Sequence, residues 1–331
     1  MNGPEPLLRI EDLSVRFATR SGPVHAVSGL SLEIGADEVL AVVGESGSGK
    51  TLTGLSVLGL EPPGAAVTGQ VWFRGENLRA APPRRLQDVR GADIGMVFQE
   101  PMTSLNPSLT VGRQVTEVLR RHQGLSGERA KKRAAELLEF VRMPHPGRQL
   151  AAYPHQLSGG LRQRVVIAMA IACDPMLLIA DEPTTALDPT IQAQILALLR
   201  DLRATLRMSV LLITHNLGLV SGFADRVLVM YAGHVLEESP AAALFASPGH
   251  PYTAGLLNAL PRPGSSRRSG RLTPIPGQVP VLHAEPDSCV FAPRCPHVRD
   301  ECRAGQPALR PARGNDHRAA CILEASEVTR S

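Results

Sequence analysis

The sequence predicts an α/β fold with a mainly parallel sheet core, a helical subdomain and a small cysteine-rich C-terminal extension. Short apolar runs of strand length alternate with segments of helical period, which is the pattern of a parallel sheet covered on both faces. A stretch rich in Pro, Gly, Ser and Arg from Pro261 to Arg271 precedes a tail with four of the five cysteines. We therefore expect a main domain over residues 1–260, then a linker and extension over 261–331.

The individual elements follow from their apolar spacing. Two strands joined by a polar turn are predicted over residues 7–17 and 24–34. The apolar period becomes helical between Val111 and Met143, inside a helical subdomain of about residues 100–175. Further strands are predicted at residues 39–43, 70–75, 94–98, 176–180, 210–213 and 227–231, with another helix over 191–206.

Length, composition and charge exclude several classes of protein. With 331 residues, 43% hydrophobic and 20% charged, the chain is long enough for a large domain with an appendage. The apolar run Val165–Cys173 is too short to cross a bilayer, and we expect no secretory signal at the N-terminus. The net charge of +4 arises beyond residue 261, without a basic stripe interleaved with aromatics, so charge does not support nucleic-acid binding.

A glycine-rich loop at Gly44–Thr51 fits the pattern G-x-x-x-x-G-K-[ST], between a predicted strand and a segment that can open a helix. Glycines let backbone N–H groups turn toward an anion, the lysine neutralises the outer phosphates, and the threonine hydroxyl can ligate Mg²⁺. The alternative is a Gly/Ser turn that happens to precede a lysine. The predicted strand before the loop and the predicted helix after it disfavour this alternative. The predicted nucleotide-binding residues here are Gly44, Ser46, Gly47, Gly49, Lys50 and Thr51.

Two adjacent carboxylates, Asp181 and Glu182, end the predicted strand at residues 176–180. A buried strand has little use for two neighbouring acids unless they meet charge at its tip. Asp181 can then hold the Mg²⁺ shell while Glu182 polarises the attacking water. The alternative is a strand end that enters solvent, and the phosphate loop in the same chain favours the catalytic interpretation.

Residues 157–164 read Leu-Ser-Gly-Gly-Leu-Arg-Gln-Arg, and place Ser158, Gly159 and Gly160 at a predicted helix start. A hydroxyl, free N–H groups and the helix dipole there form a second anion site, although an ordinary serine N-cap is the alternative. With the loop and the carboxylates, this segment resembles the LSGGQ-type element of ABC transporter ATP-binding subunits, with Leu161 where Gln is usual. The resemblance covers nearly the whole chain and implies a P-loop NTPase of the ABC type that binds ATP with Mg²⁺ and hydrolyses it.

The resemblance implies roles for four further residues. Gln99 matches the glutamine that reaches the metal and senses the γ-phosphate, and His215 matches the switch histidine that contacts it. Asp188 lies in the loop that crosses the dimer interface, and Phe17 stands where the family stacks an aromatic on adenine. Taken alone, these residues are a solvated loop glutamine, a structural histidine, a helix N-cap and a core phenylalanine.

The resemblance also implies partners. In the family, each nucleotide is clamped between the phosphate loop of one subunit and the LSGGQ element of another, head to tail. A chain with one phosphate loop and one LSGGQ element then needs a second ATP-binding subunit, which is either identical or a paralogue. It further implies two membrane permease subunits, an extracytoplasmic substrate-binding protein acting indirectly, a peripheral position on the cytoplasmic face of the cell membrane, and no nucleic acid.

The segment His-Pro-Tyr-Thr at residues 250–253 resembles the oligopeptide/dipeptide importer branch, which includes nickel importers. Without the resemblance it is only a proline turn into a short helix. We therefore expect an ATPase that energises import of di- or oligopeptides. The alternatives are a nickel or glutathione importer ATPase of the same branch and a soluble ABC ATPase without a transport role.

The tail cysteines Cys289, Cys295, Cys302 and Cys321 follow the spacing C-x5-C-x6-C-x18-C, which does not match a zinc ribbon. Disulfides are disfavoured in a cytoplasmic ATPase, and metal binding supplies folding free energy that a small module lacks. Four thiolates suit a [4Fe–4S] cluster or tetrahedral Zn²⁺, and unliganded buried thiols are a third alternative. The resemblance to peptide-importer tails implies the iron–sulfur cluster.

Overall fold

The strands follow the order that the apolar periodicity predicts. The computed structural model describes residues 5–260, 274–314, 316–324 and 326–328, so the predicted linker at 261–271 lies outside the described residues. The strands are β1 (Leu8–Thr19), β2 (Gly22–Ile34), β3 (Val39–Val43), β4 (Ala65–Phe73), β5 (Glu76–Asn77), β6 (Ile94–Val97), β7 (Leu177–Asp181), β8 (Ser209–Thr214), β9 (Arg226–Tyr231), β10 (His234–Pro240), β11 (Arg310–Pro311) and β12 (Arg318–Ala319).

The helices include those predicted between residues 111 and 143 and over 191–206. They are α1 (Lys50–Val57), α2 (Pro83–Val89), α3 (Pro101–Ser104), α4 (Val111–Gln123), α5 (Gly127–Phe140), α6 (Pro146–Gln149), α7 (Gly159–Ala170), α8 (Pro189–Leu206), α9 (Leu217–Val220), α10 (Ala241–Ala246) and α11 (Pro251–Asn258). Short 3₁₀ turns occupy Pro154–Gln156, Ala292–Arg294 and Asp300–Arg303. Across the ranges given above, no helix combines the length and apolar character needed to cross a membrane.

The chain divides into two units. The first comprises Met1–Gly35, Val39–Arg79 and Ile213–Ser331, and the second comprises Ala36–Glu38 and Ala80–Leu212. The C-terminal extension thus belongs to the same unit as the N-terminal strands and the phosphate loop. The domain boundary at residue 260 stays a prediction, because it adjoins residues outside those described.

The first unit contains an antiparallel sheet in the order β2-β1-β4-β5. Its β1–β2 hairpin confirms the two strands predicted at the N-terminus, with Thr19 paired with Gly22 at the turn. Along β2, buried Leu30, Leu32 and Ile34 alternate with exposed residues, which is the two-residue period of a half-buried strand. This face of the sheet therefore contributes to the core of the unit.

A second group of strands in the same unit forms a mixed sheet, although the sequence predicts a mainly parallel one. Strand β3 is fully buried and runs parallel to β9, as predicted. Strand β10 is antiparallel to β9, because only Ala232 and Gly233 connect them, both with positive φ (46° and 80°). A parallel neighbour would need a long crossover. The tail then adds β12 and β11 antiparallel at the free edge of β10.

The second unit combines a parallel strand pair with the predicted helices. Strands β6 and β7 are parallel, with Ile94 opposite Leu177. A Cβ on Gly95 would lie 2.2 Å from the backbone oxygen of Ala170, so only glycine lets the end of α7 approach β6 this closely. Helices α4, α5 and α7 pack on one another through buried apolar side chains, among them Val115, Leu119, Leu137, Leu138 and Val165.

A buried carboxylate ties the extension to strand β10 of the same unit. Glu237 on β10 is fully buried, and its two oxygens accept hydrogen bonds from the backbone N–H groups of Gly249 (2.7 Å) and His250 (2.9 Å). Nε2 of His317, from the tail, lies 2.7 Å from the same carboxylate. A buried charge is stable only when its hydrogen bonds are made. The three contacts supply these bonds, and the one from His317 holds the tail at this place.

We predict that Glu237→Ala lowers the free energy of unfolding by about 3 kcal/mol, because three buried donors lose their acceptor. Thermal and denaturant unfolding of the full chain measure this change. The control is Asp287→Ala, which removes an exposed carboxylate from the same extension. Equal stability of the two variants would contradict the anchoring role of Glu237.

Candidate functional site

The phosphate loop is confined by backbone atoms on two sides. It connects the end of β3 at Val43 to the start of α1 at Lys50. A Cβ on Gly44 would lie 2.1 Å from the oxygen of Met230, and a Cβ on Gly49 would lie 2.5 Å from the oxygen of Ala26. Gly49 also has φ 97°, which side-chain-bearing residues rarely adopt. Glycine is therefore required at both positions for this loop to form.

The start of α1 presents the polar groups that an anion needs. Gly49 is the N-cap and provides no side-chain hydrogen bond to the first turn. The Lys50 ammonium, almost fully buried, donates to the backbone oxygens of Gly44 (2.9 Å) and Glu45 (2.8 Å). Ser46 and Gly47 are exposed at the loop tip, and Thr51 is half-buried on α1. N–H groups and a cation at one helix start suit the phosphates of a nucleotide.

Two other predicted residues of this unit stand on strand ends. Phe17 is half-buried near the end of β1, opposite Val24 of β2. His215 is exposed directly after β8, and Asn216 next to it caps α9 by accepting from the N–H of Gly218 (3.0 Å). Phe17 is therefore only partly buried, and His215 lies at the surface.

In the second unit, the structure brings Glu182 and Gln99 together although 83 positions separate them. Nε2 of Gln99 donates to Oε2 of Glu182 (3.2 Å), and the hydroxyl of Thr185 donates to the same oxygen (2.6 Å). Glu182 has φ 45°, an uncommon value for a residue with a side chain and one that is frequent at functional sites. Asp181 is buried at the last position of β7.

Ser158 and Asp188 are both helix N-caps and both exposed. The Ser158 hydroxyl accepts from the N–H of Leu161 (3.4 Å), and the Asp188 carboxylate accepts from the N–H of Ile191 (3.0 Å). The capping roles considered from the sequence are thereby confirmed. A Cβ on Gly160 would lie 2.8 Å from Cγ2 of Ile191, so the glycine lets the starts of α7 and α8 lie side by side.

Two residues from beyond position 250 contact the phosphate loop, and the sequence analysis assigned them no role there. The hydroxyl of Tyr252 accepts a hydrogen bond from the N–H of Glu45 (2.9 Å). The guanidinium of Arg294 forms an ion pair with the Glu45 carboxylate (2.8 Å). The His-Pro-Tyr-Thr segment is therefore more than a helix start. The sequence singles out Tyr252 by its place in this segment and by the rarity of aromatics, 3% of residues, but neither signal indicates a contact with the loop.

The four tail cysteines line one small pocket of about 10 Å³ together with His250 and His297. Burial raises the pKa of Cys295 to about 11 and raises the pKa of Cys289 and Cys321 as well. Among the described residues, however, no three or more His, Cys, Asp or Glu side chains are arranged to hold a metal ion. The metal site predicted from the sequence is therefore not confirmed by this geometry, although its donor atoms converge.

Comparisons with known proteins identify the family. A family model described as ABC transporter matches residues 27–185, and one described as Oligopeptide/dipeptide transporter, C-terminal region matches residues 236–302. The chain is 48% identical over 304 residues to the dipeptide transport ATP-binding protein DppD of Escherichia coli (strain K12), covering 92% of each chain. The chain belongs to the ABC transporter family of ATP-binding proteins. As a member of this family it is an ATPase.

Other relatives extend this comparison. The oligopeptide transport ATP-binding protein OppD of Bacillus subtilis (strain 168) is 50% identical over 290 residues, which cover 87% of this chain and 81% of OppD. Among solved structures, a dimeric post-hydrolysis state of the ATP-binding cassette MJ0796 bound to ADP and Pi superposes with a TM-score of 0.64. The two are 30% identical, and the match covers 71% of this chain and 98% of that one.

We predict that Gly44→Ala weakens ATP binding by about a hundredfold or more, because its Cβ collides with the backbone of Met230 and displaces the loop. Titration with a fluorescent ATP analogue measures this loss. Gly64→Ala is the matched control, since Gly64 also has positive φ (86°) but has open space around it. Similar ATP affinities for the two variants would show that the contact with Met230 does not shape the loop.

Proposed function

We propose that this chain is the ATP-hydrolysing subunit that energises import of di- or oligopeptides through a membrane ABC transporter. The observation that carries the proposal is the match of residues 236–302 to the C-terminal region of oligopeptide/dipeptide transporters. Nearly full-length similarity to a dipeptide transport ATP-binding protein supports it. The cargo is thus inferred from relatives.

Glu182 is the proposed general base. Thr185 and Gln99 both donate to its Oε2, which fixes the carboxylate and leaves it able to polarise a water. Bound Mg²⁺ would neutralise charge on the transferring phosphoryl group, and Thr51, Gln99 and Asp181 are the residues proposed to hold it. The carboxylate and amide oxygens and the hydroxyl suit a hard cation. His215, exposed after β8, is proposed to contact the γ-phosphate.

The rest of the nucleotide is assigned to the phosphate loop and the N-terminal sheet. Lys50 is proposed to exchange its contacts with the oxygens of Gly44 and Glu45 for phosphate oxygens, which keeps the buried ammonium paired. N–H groups of the segment Gly44–Thr51, apart from that of Glu45, which donates to Tyr252, are proposed to cradle the phosphates. Phe17, half-buried at the end of β1, is proposed to stack on adenine.

A second ATP-binding subunit, identical or a paralogue, is proposed to complete each site. Ser158, Gly159 and Asp188 are exposed, and the start of α7 presents N–H groups that suit the phosphates of a nucleotide on that partner. The dimeric state of MJ0796 supports such an assembly. Phe98 and Met102, 40% and 60% exposed beside Gln99, are proposed to contact one of two permease subunits. The chain would then lie peripherally on the cytoplasmic face, with an extracytoplasmic binding protein delivering cargo.

The tail cysteines are proposed to hold a [4Fe–4S] cluster. Support comes from their number, their chemistry and their convergence on one pocket, where Cys289, Cys302 and Cys321 are buried. The N–H of Cys289 also donates to the oxygen of Cys302 (2.8 Å), which keeps two of the segments together. Such a cluster would stabilise the fold of the extension and takes no part in the hydrolysis proposed above.

We predict that Glu182→Gln retains ATP binding and lowers ATP turnover at least about a hundredfold, because the amide cannot accept a proton. Cells whose chain carries this change should lose uptake of a radiolabelled dipeptide. Glu139→Gln, an exposed position on α5, is the control. Dipeptide uptake that persists in cells lacking the chain, with loss of nickel or glutathione uptake instead, would overturn the proposed cargo. Normal turnover of Glu182→Gln would overturn the role of the base.

We predict that chain purified without oxygen is brown, contains about four iron atoms and shows thiolate-to-iron charge-transfer absorbance. Cys302→Ser should lose this absorbance because it removes one buried ligand. Cys173→Ser should keep it, since Cys173 does not line the tail pocket. One zinc per chain, or no metal in the freshly purified protein, would contradict the iron–sulfur proposal.

A further inference from the structure

An ion pair joins the C-terminal extension to the phosphate loop. Nη1 of Arg294 donates to Oε2 of Glu45 (2.8 Å), and Nη2 donates to Oε1 (3.2 Å), so the guanidinium grips the carboxylate with two parallel hydrogen bonds. The Arg294 side chain is only 6% exposed, and that of Glu45 is 27% exposed. Because it is partly shielded from water and bidentate, this pair is stronger than a surface ion pair.

Arg294 is itself held from several sides. It ends the 3₁₀ turn Ala292–Arg294, and its Nε donates to the oxygen of Pro276 (2.7 Å). Nη2 donates to the oxygen of Ile275 (3.2 Å), and the guanidinium lies 5.6 Å from the ring centre of Tyr231. A guanidinium fixed in this way positions whatever it binds, because few of its rotamers remain available.

The charge of Glu45 creates a problem for an anion site. Its carboxylate belongs to the second residue of the loop that the family uses for the triphosphate, directly after Gly44. An unpaired carboxylate there would repel the phosphates. The repulsion would be strong because charges at a partly buried site are screened less than in water. The Arg294 guanidinium cancels this charge. It does so without occupying the helix start, since the hydrogen bonds that it donates to the loop go to the Glu45 side chain.

We propose that Arg294 is a positioning residue of the ATP site: it neutralises Glu45 and holds the phosphate loop, so that ATP affinity depends on the docked C-terminal extension. The proposal rests on ATP binding by this chain and not on the identity of the cargo. Arg294 need not touch the nucleotide. Its removal should therefore change the affinity for ATP and leave turnover at saturating ATP nearly unchanged.

The test compares full-length variants by titration with ATP and Mg²⁺ and by steady-state ATP hydrolysis. Arg294→Gln should raise the Kd and KM for ATP about tenfold, because the Glu45 carboxylate is left without its partner. Turnover at saturating ATP should stay within about twofold. The double variant Glu45→Gln with Arg294→Gln should return the Kd to within about threefold of the wild type, because the repelling charge is gone. Glu45→Gln alone should bind ATP at least as tightly as the wild type, because it removes the repelling charge while its amide oxygen can still accept a hydrogen bond from Arg294.

Arg318→Gln is the matched control, because Arg318 also links the extension to the body of its unit, but its ion pair is with Glu238 on β10 and not with a residue of the loop. It should keep the wild-type Kd. An unchanged Kd for Arg294→Gln, or a double variant as weak as Arg294→Gln, would overturn the proposal. If Arg294→Gln does not fold, the proposal would be overturned by a Glu45→Gln variant that binds ATP more weakly than the wild type. Failure of the wild-type chain to bind ATP would refute the ATPase assignment, which is a different outcome.

Discussion

The close approach of backbone to backbone at the phosphate loop is the constraint on which the site depends. The loop passes so near the end of β9 and the strand β2 that neither Gly44 nor Gly49 has room for a Cβ. This packing turns a short glycine-rich segment into a rigid cradle, since close-packed atoms leave it one arrangement. The chemistry of Lys50 follows from it. A buried ammonium is tolerated because the same tight loop offers it backbone oxygens at 2.8 and 2.9 Å.

Patterns that are local in the chain were predictable, and contacts between distant segments were not. Apolar runs located β3 and β7, and the helical period located α4 and α8, because burial and periodicity act over a few residues. The caps Ser158 and Asp188 were visible for the same reason. By contrast, 249 positions separate Glu45 from Arg294, and no local pattern encodes their pairing. The convergence of the tail thiols was expected, but the metal-binding arrangement depends on geometry that spacing does not determine.

Strand β10 makes the sheet mixed and carries the buried Glu237, and the tail packs against it. Strand β10 would be an open edge, and edges of sheets expose unpaired backbone groups. The extension covers part of it with β12, where Glu237 pairs with Ala319, while the Glu237 side chain binds two N–H groups and His317. One short strand segment therefore holds the tail by its backbone and by its side chain. An extension with little core of its own can be ordered in this way because the first unit supplies the partners.

Glu45 connects the phosphate loop with the C-terminal extension. Its backbone oxygen accepts from Lys50, its N–H donates to Tyr252, and its carboxylate binds Arg294. In the proposed nucleotide complex, Lys50 would turn to a phosphate and give up the first of these three contacts. The other two come from α11 and the extension and do not involve the helix start, so they can keep the loop in shape while the lysine moves. A loop that stays ordered in this way loses less conformational entropy when the nucleotide binds, which favours affinity without any additional contact to ATP.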